Sequence, residues 1–121
     1  MANQPTHYDL AQLRADINTF VHERDWDQFH APKNLASALA VEAAELLEPF
    51  TWLTTGTAEE LGPAKLKAVS HEMADVLIYL VRLADKLGVD LAAAAQEKLE
   101  INRTKYPADK VRGDSRKYSD Y

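Results

Sequence analysis

The chain has 121 residues, which fits one domain, and it contains no cysteine, which excludes disulfides, thiolate catalysis and zinc–sulfur sites. At 46% apolar and 27% charged residues, with four glycines and five prolines, the composition is that of a globular, helix-rich chain rather than a disordered one. A net charge of −5 argues against general nucleic-acid binding, the longest strongly apolar run, Val76 to Val81, is far too short for a membrane span, and Met1 to Thr6 lacks the features of a signal peptide, so a cytoplasmic protein is expected.

Four helices and a tail are predicted in chain order. The first covers about 8–25, where Leu10, Leu13, Ile17, Phe20 and Val21 recur at helical spacing and Thr6-x-x-Asp9 resembles a capping box. The second covers about 33–48 and stops or kinks at Pro49, which has no N–H to continue it. Thr54 to Gly62 reads as a loop. The third helix covers about 63–87, with Pro63 in its first turn and Gly88 at its end. The fourth covers about 91–105, with Asp90 as N-cap and Pro107 beyond its end. Residues 107–121 read as a polar, basic, extended tail. No alternating strand pattern competes, so the expected class is all-α: an antiparallel, four-helix bundle-like single domain over 1–121.

Charge is unevenly spread. Residues 98–117 hold seven Lys and Arg against three Asp and Glu, while the rest holds seven against sixteen. A basic end on an acidic body is either a solvated tail or a partner for a polyanion.

Projection at about 100° per residue shows which polar groups fall on apolar faces. In the second helix Glu42 lies inside the stripe of Leu35, Leu39, Ala43, Leu46 and Phe50, with Glu45 at its edge and Glu48 well outside. In the third helix the stripe is Leu66, Val69, Met73, Val76, Leu77, Leu80, Leu83 and Leu87; Glu72 borders it, followed outward by Tyr79 and Asp75. In the fourth, Lys98 and Asn102 sit within Leu91, Ala94, Ala95, Leu99 and Ile101. Inward carboxylates are costly unless paired or bound to metal. Two acidic pairs at i,i+3 on facing helices suit a hard cation such as Mg²⁺. The competing possibility is a structural network in which Glu42 and Glu72 bond Lys98, Arg82 or Asn102. Glu97/Glu100 match E-x-x-E as well, but they project to solvent.

Other chemistries drop out. There is no P-loop, no G-x-S-x-G elbow and no E-x-x-H of the di-iron bundles. His71 reads as a surface residue and His30 as structural. Trp26 and Phe29 precede the second helix, and Phe50 and Trp52 follow it. Phe29 and Phe50 suit core packing, whereas two Trp at helix ends suit sandwiching of a flat base.

Glu42-x-x-Glu45 followed by Glu72-x-x-Asp75 resembles the E-x-x-E…E-x-x-D signature of the MazG-like nucleotide pyrophosphohydrolases, the all-α NTP pyrophosphatase superfamily. Further segments resemble its dCTP pyrophosphatase branch: Trp26-Asp27-Gln28-Phe29-His30-x-Pro32-Lys33-Asn34-Leu35, Glu48 to Trp52, Asp75 to Leu80, Lys98, Asn102-Arg103, Lys105-Tyr106-Pro107, Arg112-Gly113 and Lys117-Tyr118. The likeness covers about residues 8–118 and departs at Pro49, where relatives continue the helix. It implies cleavage between the α and β phosphates of a nucleoside triphosphate, with a monophosphate and pyrophosphate as products. It also implies Mg²⁺, replaceable by Mn²⁺, on Glu42, Glu45, Glu72 and Asp75. Trp26 and Trp52 would flank a base of deoxycytidine type, with substrate contacts from Tyr79, Lys98, Asn102, Arg103 and Tyr106, and Lys98 offsetting phosphate charge. Glu45 would activate water, and the subunits would form a homo-oligomer, a tetramer or a dimer, with sites between chains. A non-catalytic nucleotide-binding or adapter protein is the alternative.

Overall fold

The computed structural model describes residues 7–116 and Ser119. They form α1 (Leu10–Glu23), α2 (Pro32–Leu47), α3 (Ala58–Leu87), α4 (Leu91–Lys105) and the short α5 (Ala108–Val111), with single 3-10 turns at Asp27–Phe29 and Glu48–Phe50. No strand occurs among the described residues, so the all-α expectation holds. The chain divides into two compact units, Met1–Gly88 and Val89–Tyr121.

In the first unit α3 is the element against which both α1 and α2 pack. Both meet it antiparallel. Arg82 late in α3 bonds His30 just before α2, whereas Glu72 lies with Glu42 in mid-helix. Arg14 and Asn18 of α1 meet Asp85 and Arg82 in the same reversed order. The closed core is small: Ile17 and Val21 of α1, Leu35 of α2, and Leu61, Val69, Val81 and Ala84 of α3.

Helix ends differ from the sequence expectation in three places. Asp9 caps α1, its carboxylate accepting from Gln12 N at 2.9 Å, and the expected partner Thr6 lies outside the described residues. The third helix begins earlier, at Ala58, because Thr57 caps a first turn that carries the buried Leu61. Gly62 then breaks the helical path at φ +79°, a left-handed backbone that side chains disfavour, and Pro63 restarts it. Residues 108–111 form a helical turn inside what was expected to be an extended tail. The second helix does stop as Pro49 requires, passing into the 3-10 turn that carries Phe50.

The apolar stripe assigned to α3 divides between two faces. Val76, Leu80 and Leu83 are half-buried together with Glu72, Asp75 and Tyr79, whereas Leu66, Met73, Leu77 and Leu87 are exposed. The helix is apolar on more than one side, and a single chain covers only one of them. In α4 no residue is buried, and Leu99 and Ile101 stay exposed.

Candidate metal centre and nucleotide site

Side chains three apart on a helix lie on neighbouring positions. Glu42 and Glu45 therefore rise together from α2, and Glu72 and Asp75 from α3. The antiparallel packing brings the first three to one point: carboxylate oxygens of Glu42, Glu45 and Glu72 lie within 4.8 Å of one another. One oxygen of Glu42, Oε2, and one of Glu72, also Oε2, are shielded from solvent and have no hydrogen-bond partner. Two shielded acceptors without a donor cost free energy as long as both groups stay ionised.

Electrostatics register that cost. The Glu42 carboxyl is pushed up to about 7, first by burial, then by the adjoining carboxylates of Glu72 and Glu45, then by the charge of Asp75. Asp75 thus belongs to the electrostatic neighbourhood of the triad, half-buried one turn past Glu72. The alternative of an internal network through Arg82 does not hold. That guanidinium is 6% exposed and is committed elsewhere, to Asn18 Oδ1 at 3.0 Å, His30 Nδ1 at 3.0 Å and Asp27. His30 is structural, as its sequence position suggested, and burial first and the Arg82 charge second hold its imidazole below the usual range.

The donor set fits a hard divalent cation. Carboxylate oxygens are its preferred ligands, and ligands on one octahedral ion at about 2.1 Å lie roughly 3–4 Å apart, within reach of the observed cluster. A cation there would give the two orphaned oxygens their missing counter-charge.

The aromatic candidates are set by local geometry. Trp26 follows a left-handed turn at Asp25 (φ +53°), and its N–H bonds Val21 O at 3.1 Å, closing the end of α1. Its ring meets Phe20 edge to face at 5.7 Å, and Arg24 covers the Phe20 ring at 3.7 Å. Trp52 is 93% exposed on the loop after α2. Phe50 is half-buried as expected, but Phe29, assigned to the core from sequence, is exposed because the 3-10 turn at Asp27–Phe29 directs it outward. Tyr79 is half-buried one turn past Asp75.

The Trp52 loop is fixed by a residue that sequence reasoning passed over. The Glu60 carboxylate accepts from the backbone N–H groups of Thr54, Thr55 and Gly56 at 2.8, 3.0 and 2.9 Å. Those three donors hold it well below the usual range, at about 2. Gly56 lies flat on Phe50, where a Cβ would stand 2.7 Å from the ring. The signal was present in Thr57-x-x-Glu60, a helix-start pattern.

In the second unit Lys98 is exposed and Asn102 half-buried on α4, and Arg103 pairs with Glu100 one turn back. Tyr106 ends that helix, its N–H bonded to Asn102 O at 2.8 Å.

The MazG-like family model matches residues 38–121, a stretch that includes all four carboxylates. The chain is 46% identical over 119 residues to dCTP pyrophosphatase 1 of Homo sapiens, covering 97% of this chain and 68% of that protein. Against dCTP pyrophosphatase 1 of Bos taurus it is 42% identical over 124 residues, covering 98% and 70%. A crystal structure of a pyrophosphatase from Archaeoglobus fulgidus matches with a TM-score of 0.76 at 37% identity, covering 86% of this chain and 97% of that one.

Proposed function

The chain belongs to the MazG-like family and is a nucleotide pyrophosphohydrolase, and from that premise we propose that it splits dCTP, or a base-modified dCTP, into the monophosphate and pyrophosphate with Mg²⁺ bound at Glu42, Glu45, Glu72 and Asp75. The observation that carries this reading is the meeting of three carboxylates with two shielded oxygens that lack any donor. The chemistry a divalent cation supplies at such a site is neutralisation of triphosphate charge and a more acidic water, and Mn²⁺ has the same ligand preferences.

The chain's own groups do the rest. Glu45 orients the attacking water and takes its proton, the work of a positioned general base. The bond between the α and β phosphates breaks as the water oxygen joins phosphorus in line. Lys98 offsets charge on the phosphates, and Asn102, Arg103 and Tyr106 hold the ribose and phosphates. Trp26 and Trp52 stack on the base and Tyr79 borders it, at roughly 1–3 kcal/mol per stacked base. The working form is a homo-oligomer, a tetramer in preference to a dimer. Exposed Leu66, Met73, Leu77 and Ile78 on α3, with Val41 and Leu47 on α2, support it, because association is the ordinary way to cover such faces. Among the described residues no helix is long and apolar enough to cross a membrane. In this reading the substrate is drawn from the nucleotide pool of the cytoplasm.

A pyrophosphate-release screen over natural and 5-substituted dNTPs with Mg²⁺ tests the substrate class. dCTP-type nucleotides are expected to turn over fastest, and Trp52→Ala is expected to raise KM roughly ten-fold or more at little cost to kcat, the loss of about one stacking contact. Cytosine nucleotides at the bottom of the series would contradict the substrate class.

A further inference from the structure

Arg82 is the one buried charged residue among the described residues, and nothing in the hydrolytic chemistry uses it. It lies seven residues past Asp75, two turns and about 10 Å further along the same face of α3. There it joins three segments: Asn18 of α1, Asp27 and His30 at the start and just past the end of the 3-10 turn before α2, and Asp85 of its own helix at 3.9 Å. Lys86 adds a second cation to Asp27 at 3.0 Å. Asp27 is the residue directly after Trp26. The other side of Trp26 is fastened to α1 through Val21 O and the Phe20 ring.

A buried arginine is expensive to keep unless its fixed fork of donors finds partners, and the fork then imposes their geometry. Here two of the partners, Asp27 and His30, belong to the segment that follows Trp26 directly. One rigid helix therefore carries Glu72 and Asp75 at one level and, two turns on, the clamp on the turn that carries Trp26. We infer that Arg82 is a positioning residue for the nucleotide base: through Asp27 and His30 it holds Trp26 at a set distance from the carboxylate cluster, and so governs how tightly the base end of the substrate is bound. The inference rests on the reading of Trp26 as a base-stacking residue.

Base-end positioning acts on binding more than on the reacting phosphates. Arg82→Met and Asp27→Asn are both expected to raise KM for dCTP roughly ten-fold, the size of about one charge-assisted hydrogen bond, with kcat changed by less than about two-fold. Arg82→Lys is expected to recover part of the loss, since its charge reaches Asp27 but its fork is gone. Asp27 is exposed, so Asp27→Asn remains folded and decides the matter if Arg82→Met melts early. Trp26 is followed separately as the sole tryptophan in a Trp52→Phe background, with a non-hydrolysable α,β-imido dCTP as probe. Quenching of its emission by the probe, weakened by Asp27→Asn, supports the inference. Quenching with KM and probe affinity unchanged in folded Asp27→Asn and Arg82→Met, or a fall in kcat alone, would overturn it. No quenching in the parent would overturn the base-stacking reading, and the inference with it.

Discussion

Glu45→Gln and Glu72→Gln are each expected to lower kcat for dCTP by about 10²–10⁴-fold, whereas Glu97→Gln and Glu100→Gln remain near the parent. All four are glutamates in acidic pairs at i,i+3, Glu72 with Asp75 and the others with a second Glu, so residue type cannot separate them. Geometry does: Glu45 and Glu72 converge with Glu42, while Glu97 and Glu100 are exposed on α4 and Glu100 is already paired with Arg103. Glutamine keeps the shape of each side chain, removes the charge and puts an N–H donor in place of one acceptor oxygen. Initial rates of pyrophosphate release measure the difference. Equal losses in both pairs would show that the cluster is not the reacting centre.

Glu42→Gln is expected to separate stability from activity. In the metal-free protein the Glu42 carboxyl sits near 7, above its ordinary value of 4.5. Between those two values the folded chain holds a proton that the unfolded chain has released. This group therefore contributes most stability below about pH 4.5, and that contribution is lost as pH rises towards 7. His30 works in the opposite sense, because its lowered imidazole favours the fold as pH rises. The informative quantity is accordingly the difference between parent and variant, in which His30 cancels. Metal-free Glu42→Gln is expected to melt a few degrees above the parent at pH 7.5 and close to it at pH 5, and to be without turnover at either. Magnesium added at pH 7.5 raises the parent's midpoint and leaves the variant's nearly unmoved. A variant less stable than the metal-free parent at pH 7.5 would mean that Glu42 is held by a donor rather than strained against its neighbours.

Much of this site was legible because a helix has a period. One polar position inside the α2 stripe was enough to single out Glu42, the border of the α3 stripe picked out Glu72, and the i,i+3 spacing supplied Glu45 and Asp75. The same projection set Asp75 and Tyr79 too far outward. It averages all apolar positions of α3 into one direction, whereas Leu66, Met73 and Leu77 face away from α1 and α2. Arg82 was read only as a possible partner of the carboxylates. Its hydrogen-bond partners Asn18, Asp27 and His30 lie more than fifty residues away in the chain, and no local pattern announces them. The early start of α3 at Ala58 was hidden by Gly62 and Pro63, which read as the end of a loop and instead mark a break within the helix.

The carboxylate cluster is expected to bind a divalent cation on which α–β cleavage depends. Phosphorus NMR of dCTP incubated with the protein, first freed of metal and then supplied with Mg²⁺, tests it directly. The expected result is no conversion in excess EDTA, and with Mg²⁺ equal amounts of dCMP and pyrophosphate, with no dCDP. Cleavage that persists in EDTA, or products that are dCDP and orthophosphate, would contradict it.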